Sequence, residues 1–433
     1  MSSGSPIRVL PTPPRVVVPL RQHIGAPPEP VAGPKTLVSF GQKLGECRAF
    51  VSAPVHSPLS GTVERHTTLT LPTGIRTVAV PVSASGDNLS GRALLDEILG
   101  GDWDYERIKD VDPDEIAARV QDAGIVGLGG ATFPTHVKLI SAREKGVELL
   151  IVNGCECEPY LTADHRMMLE AARAVLCGAL LAARACGGAG IAVAVEDNKL
   201  DAVRALEREA AGTGIRVVTV KTKYPMGGER ELVPAVTGRL IPSGGLPLDV
   251  GVVVINVGTA AAIARAVLRG GALTHRVVTV TGAVHQPGNL LAPIGAACRD
   301  LLDFCGGIKP DAARIVAGGP MMGFALADLD TPLTKGTSGL VVLRREDVER
   351  EAETECIRCA RCVDVCPTGL VPTKIALAAR NELWDRAEKL HASDCIECGC
   401  CAYVCPARIP LVQLIKVAKA RLAEIRRTAA ERP

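Results

Sequence analysis

Cys356, Cys359, Cys362 and Cys366 stand at the spacing C-x2-C-x2-C-x3-C ahead of Pro367, and Cys395, Cys398, Cys401 and Cys405 repeat it ahead of Pro406. Nothing else in the chain restricts its fold as tightly, because three thiolates two residues apart must wrap one short coil around a single inorganic core. The spacing is that of a cubane [4Fe-4S] cluster, and in two-cluster ferredoxins the cysteine before proline ligates the other cluster. The pattern therefore predicts one cluster on Cys356, Cys359, Cys362 and Cys405, and a second on Cys395, Cys398, Cys401 and Cys366. C-x2-C pairs also hold zinc, but zinc needs only four ligands and no Cys-Pro ending to the run. Cys400 lies off the spacing and is not counted as a ligand. A chain so equipped moves electrons.

The rest of the 433 residues is long enough for two to four domains with real cores. Lysines and arginines nearly balance the acids, and the net charge of +2 with 3% aromatic residues gives neither an electrostatic pull nor stacking platforms for nucleic acid. The most apolar stretch, Val250 to Ala264, contains Asn256 and falls short of the roughly 20 residues a spanning helix needs. The first residues lack the apolar core of a secretion signal, and cluster-forming cysteines suit a reducing compartment. These features predict cytoplasmic residence with no transmembrane segment.

The fold class expected is α/β multidomain. Residues 1–25 are proline-rich and read as an extended arm, followed over 35–80 by short β-prone runs broken by turn residues. This module resembles the barrel-like sandwich of biotin and lipoyl carriers, without the lysine those carriers modify, so 1–84 is expected to be a structural unit. Residues 85–273 alternate β-branched runs (Val147–Asn153, Gly190–Val195, Ile215–Val220, Val250–Val257) with helical stretches such as Arg166–Arg184 and Lys199–Ala211, the pattern of a largely parallel sheet. A small mixed β domain is expected over 274–345 and a helical cluster domain over 346–433. The last helix carries Leu411, Leu414, Ile415, Leu422 and Ile425 on one stripe, with Lys416, Lys419, Arg421 and Arg426 away from it.

A second chemical signal is the loop from Gly124 to Lys138, in which Gly127, Gly129 and Gly130 could let backbone N–H groups close on a phosphate. It is not a dinucleotide fingerprint: a helix capped by Asp112-Pro113 precedes it where that motif needs a strand, and Thr132 fills the third glycine position. Three predicted strands end in polar turns, at Asn153 to Asp164, at Tyr224 to Glu231 and at Asn256 to Thr259. Ligands of open α/β sheets bind beyond such strand ends. Thr162 and Asp164 read equally well as helix caps.

These segments resemble the RnfC family of the Rnf electron-transport complex and, more distantly, the flavin-bearing subunit of respiratory complex I. The likeness is carried by Val18 to Pro27, Val51 to Pro58, the Gly127 loop, Asn153 to Pro159, Tyr224 to Glu229, Pro242 to Pro247 and both cysteine runs. It implies that Gly127, Gly129, Gly130, Lys138, Asn153, Tyr224, Gly227, Gly228, Asn256 and Thr259 hold FMN and that Glu156, Glu158 and Glu229 face NADH. It also implies that the central domain is an FMN/NADH-binding fold and that the mixed β domain is a soluble-ligand-binding β-grasp domain. Departures from the family pattern are Thr132 in place of a frequent glycine, Leu128 where the complex I relatives carry arginine, and the lack of a His-Pro-Pro segment near the amino terminus.

The resemblance further implies a membrane-bound NADH:ferredoxin oxidoreductase in which this peripheral subunit, on the cytoplasmic face of the inner membrane, passes electrons from NADH through FMN and two [4Fe-4S] clusters to a ferredoxin-type partner subunit. The complex would couple that transfer to movement of sodium ions or protons. Two rivals share parts of the pattern: a cobalamin reductase of a bacterial microcompartment, and a wiring subunit with clusters but no flavin. Of the cysteines outside the runs, Cys155 and Cys157 flank Glu156, while Cys177 and Cys186 are expected in the core.

Overall fold

The β-branched runs of the central region form one four-stranded, all-parallel sheet in the computed structural model, which describes residues 2–348 and 352–430. The spatial order is Arg216–Val220, Gly190–Glu196, Leu149–Asn153, Val252–Asn256, so the chain steps outward twice and then returns to the far side of its first strand. Strand residues such as Leu150, Ile151, Val193 and Val253 are buried, as expected for a sheet covered on both faces. Asp112 caps the helix Pro113–Asp122 through the amides of Asp114 and Glu115, as its sequence predicts.

The helix expected over Arg166–Arg184 is two helices, Ala163–Glu170 and Ala172–Ala185, broken at Ala171 where φ is −131° and ψ is 27°. The break lets the second helix lie flat against Val257–Arg269. A Cβ on Gly178 would come within 1.7 Å of the Ala260 carbonyl oxygen, so only glycine permits this approach.

The amino-terminal segment is no free arm. Ile7–Val9 joins a six-stranded sheet beside Gly288–Pro293, parallel to it, and Arg15–Pro19 pairs with Arg76–Ala84 in the β module. Val16, Val18, Val80 and Val82 alternate into that module's core, which is the period-2 pattern of a half-buried sheet. The remaining strands of the six-stranded sheet, His275–Gly282, Gly339–Arg344, Ala312–Ala317 and Phe324–Ala325, confirm the small mixed β domain. At the carboxyl end, Leu411, Ile415 and Leu422 are buried under the helix Leu411–Ala430, whereas Ile425, assigned to the same stripe, is 41% exposed. The basic face of this helix is paired within the chain: Lys416 and Lys419 with Glu397, Arg421 with Glu424, Arg426 with Glu388. No helix among the described residues is long and apolar enough to cross a membrane.

Lys335 holds the three larger units together. It is 1% exposed, and its Nζ donates to the carbonyls of Pro54 in the β module and Gly124 in the central domain, both at 2.7 Å. Its own amide donates to Gln22 Oε1. Two acceptors match the two N–H bonds of a neutral amine, and burial lowers the pKa of Lys335 to about 7. Between that value and 10.5 the unfolded chain binds a proton that the folded chain does not, so this group's contribution to stability rises with pH over that window. Melting temperatures of the wild type and Lys335→Met, compared from pH 6.5 to 9, are expected to diverge in favour of the wild type as pH rises; a constant difference would contradict a neutral amine.

Candidate functional site

In an open parallel sheet the ligand crevice lies where neighbouring connections leave in opposite directions, and here that point is between Leu149–Asn153 and Val252–Asn256. Their last residues, Asn153 and Asn256, are register partners. Asn256 Oδ1 accepts from the amides of Gly258 and Thr259, capping the helix Val257–Arg269, while its Nδ2 donates to Asp164 Oδ2 at 2.7 Å. Asn153 Oδ1 accepts from the Cys155 amide and its Nδ2 donates to the Gly227 carbonyl at 2.9 Å. The two asparagines thus brace the turns on either side of the crevice.

The glycine loop folds over this point. Val126 bridges Pro134, the Gly127 amide donates to the Phe133 carbonyl, and the Leu128 amide donates to Thr259 Oγ1 at 2.9 Å. Gly129 lies against Asn256: a Cβ there would sit 3.5 Å from the asparagine's own Cβ. Gly130 has φ of +120°, open to glycine and hardly to other residues, and no atom lies within 4 Å of where its Cβ would be. Thr132 adopts φ of +50°, the left-handed conformation usually left to glycine, so the loop keeps its path despite the substitution, at some cost in strain for a β-branched residue.

Lys138, on the helix Thr135–Glu144, donates through Nζ to Glu229 Oε1 at 2.7 Å and to the Val254 carbonyl at 3.1 Å. Glu229 opens the helix Glu229–Thr237, with Gly228 as its cap residue. A Cβ on Gly227 would lie 2.5 Å from the Cys155 carbonyl oxygen, so that turn closes on the first strand's end only because it lacks a side chain. A lysine, a glycine-rich loop and amide groups at a switch point suit a phosphate-bearing cofactor.

The three glutamates have different settings. Glu156 accepts from the amides of Asp164 and His165, so it caps the helix Ala163–Glu170 from outside. Burial, and then Asp164 alongside, raise its pKa well above the usual carboxylate range. Thr162 occupies the cap position but its hydroxyl bonds Ser2 and Asn289 instead. Glu158 accepts from the amides of Met321 and Met322, at 3.1 and 2.8 Å, in the six-stranded-sheet domain. Of the three, Glu229 alone has no backbone partner and stays 38% exposed.

The cluster domain is bolted to the same crevice. Tyr224, one turn before Gly227, donates its hydroxyl to the Cys398 carbonyl at 2.6 Å, and Asp394 accepts from Ser243 and from the Gly244 amide. Ile396 Cδ1 lies 3.9 Å from where a Cβ on Gly228 would be. Cys366, Cys395, Cys398 and Cys401 line one cavity, as does Cys400, which lies off the ligand spacing. Burial raises the Cys401 thiol to about 12, and Cys395, Cys398 and Cys366 add to the rise. Burial likewise raises Cys362, with Cys405 and Cys356 adding to it. The cysteine before each proline therefore neighbours the other run. Among the described residues no three His, Cys, Asp or Glu side chains converge as on a single metal ion; the ligands of a cubane bind separate iron corners. The two sets differ in exposure: Cys356 and Cys359 face solvent, while Cys398 and Cys401 are buried.

The arrangement defines a class: a flavin-binding fold of the complex I type joined to a two-cluster ferredoxin domain. Residues 120–265 match the family model of the Nuo51 FMN-binding domain, 355–409 that of the 4Fe-4S dicluster domain, 277–325 the SLBB domain and 1–87 the RnfC barrel sandwich hybrid domain. The chain is 43% identical over 96% of its length to the C subunit of the Na(+)-translocating ferredoxin:NAD(+) oxidoreductase complex of Acetobacterium woodii, covering 92% of that protein. It is 42% identical over 90% of its length to the C subunit of the Proton-translocating ferredoxin:NAD(+) oxidoreductase complex of Clostridium ljungdahlii, covering 83% of that protein. It is 40% identical over 98% of its length to the C subunit of the Ion-translocating oxidoreductase complex of Rhodobacter capsulatus, covering 81%. The chain belongs to the RnfC family. An NAD+-reducing [NiFe]-hydrogenase crystal structure shares the fold at TM-score 0.53 and 21% identity, covering 77% of this chain and 70% of that one.

Sequence reasoning missed the interdomain use of Glu158, Tyr224 and Asp394, whose partners lie far off along the chain. The Glu158 clamp is testable. Glu158→Ala should cost about 2 kcal/mol through two lost bonds to a charged acceptor and raise protease cleavage within 318–323. Gly319→Ala, whose Cβ would lie 2.2 Å from Glu158 Oε2, should do the same. Denaturant unfolding with limited proteolysis reads both.

Proposed function

We propose that this chain is the NADH-side electron entry of an Rnf-type ferredoxin:NAD+ oxidoreductase complex. The observation that carries this reading is the bond from Tyr224, at the rim of the switch-point crevice, to the Cys398 carbonyl inside a cluster motif. FMN, when bound, supplies the change from the two-electron hydride of NADH to the single electrons an iron–sulfur cluster accepts.

The residues would divide the work. Gly127, Gly129, Gly130 and Lys138 hold the phosphate end of FMN, with Asn153, Gly227, Gly228, Asn256 and Thr259 shaping the crevice and Tyr224 its side toward the clusters. Glu229, the open glutamate, faces NADH; Glu156 and Glu158 hold the surrounding turns. Cys366, Cys395, Cys398 and Cys401 hold the cluster nearer the crevice. Cys356, Cys359, Cys362 and Cys405 hold the outer one, whose exposed cysteines offer a face to a ferredoxin-type partner subunit. In this reading ion movement belongs to other subunits of the complex, and this one attaches peripherally at the cytoplasmic side, as the family resemblance implies. The relatives' names, which join ferredoxin, NAD(+) and ion translocation, support the complex-level reading.

Anaerobically purified protein is expected to carry flavin and iron–sulfur absorbance that NADH bleaches. Brown protein unresponsive to NADH would sink the reading. Cys405→Ala should lose the outer cluster, keep flavin reduction by NADH and the inner cluster's EPR signal, and stop transfer to a ferredoxin-type acceptor. Loss of the inner cluster instead would overturn the ligand assignment. Lys138→Met should weaken FMN binding about tenfold, or roughly 1.4 kcal/mol, in a fluorescence titration.

A further inference from the structure

The glycine loop is also contacted from the domain of the six-stranded sheet, which contains the SLBB match. Three contacts run along the loop. Lys335 Nζ donates to the Gly124 carbonyl at the loop's start, at 2.7 Å. Arg276, on the strand His275–Gly282, donates from one guanidinium nitrogen to the Leu128 carbonyl at 3.4 Å and from another to the Lys335 carbonyl. Gly336 lies against the loop's far limb: a Cβ there would meet Thr132 Cγ2 at 2.8 Å and the Gly130 carbonyl oxygen at 3.6 Å.

Arg276 is 6% exposed, which makes it an expensive place for a charge unless carboxylates face it. The nearby acid groups, Asp164 first and Glu156 less, favour its protonated form against that burial. Asp164 in turn accepts from Asn256 Nδ2, and Asn256 lies against Gly129. Leu128 is therefore fixed at both backbone groups, its amide by Thr259 of the flavin domain and its carbonyl by Arg276 of the six-stranded-sheet domain. A guanidinium spreads five donors over three nitrogens in one plane, so it reaches carbonyls on two different segments at once, whereas the three donors of an ammonium all radiate from a single atom.

We propose that the six-stranded-sheet domain splints the flavin loop, with Arg276 as the positioning residue that sets the Gly127–Gly129 backbone for FMN. The inference rests on the FMN reading above, and FMN titration of the wild type separates the two: a wild type that does not bind FMN refutes that reading first. The free chain would otherwise have to order a glycine-rich loop on binding, and a loop ordered beforehand escapes that entropy cost.

The test uses the full-length protein, anaerobically purified, stripped of flavin and titrated with FMN, with iron content, melting temperature and flavin midpoint potential measured in parallel. Arg276→Gln is expected to weaken FMN binding about tenfold, roughly 1.4 kcal/mol, and to shift the midpoint potential of the flavin that remains, with iron content unchanged. Arg276→Lys should recover only part of the affinity. Gly336→Ala requires only that Thr132 yield, so it should fold normally and still weaken FMN binding by about threefold. The inference is overturned if Gly336→Ala and Arg276→Lys both bind FMN as the wild type does. It is overturned equally if Arg276→Gln loses FMN only in step with melting temperature and iron while Gly336→Ala binds normally.

Discussion

Asn256 is the side chain on which the site depends. It ends a buried strand, opens the helix behind it by capping Gly258 and Thr259, reaches sideways to Asp164 and lies against Gly129. A strand end, a helix start and a loop are thus fixed by one amide group of defined geometry. Its register partner Asn153 does the equivalent on the other side, joining Cys155 to Gly227. An asparagine suits both places because it donates and accepts from one rigid plane, whereas aspartate could only accept.

Around the crevice the domains are joined by individual polar contacts, those of Lys335 fully buried and the others at partly exposed seams. Glu158 grips two amides of the SLBB domain, Tyr224 grips a carbonyl of the cluster domain, and Lys335 joins the β module to the loop. Contacts of this type tolerate little displacement, since a buried donor or acceptor pulled off its partner costs about 1–3 kcal/mol. They suit electron transfer, for which cofactors must be held at fixed separations. Shape complementarity enters at the same seams: Gly399 sits where a Cβ would come within 2.7 Å of the Met321 carbonyl oxygen.

How much of this could be read in the sequence depends on the distance over which each signal acts. The cysteine spacing, the Asp112 cap and the β-branched runs are local patterns, and the elements they predict are present within a residue or two. The strand ends that gather at the crevice could be anticipated from the general behaviour of parallel sheets. The roles of Glu156 and Asp164 could not: helix capping is expected from a residue at the cap, and here it comes from Glu156, eight residues before the amide it holds. Arg276 and Lys335 gave no signal, since an arginine opening a β run and a lysine among threonines and glycines look like surface residues until a second domain closes over them. The break at Ala171 lies in an Ala- and Leu-rich stretch whose composition favours unbroken helix; tertiary packing decides it.

The strand Ile7–Val9 carries a consequence for how the molecule comes into being. Its partners are Asn289, Leu290 and Leu291, so one edge of that sheet is woven from the start of the chain and a segment made some 280 residues later. Synthesis on the ribosome must therefore add some 280 residues after this strand before its partners exist. Excising the β module as a separate piece would strip an edge strand from a distant unit, so the order of units along the gene is not an order of independently removable parts.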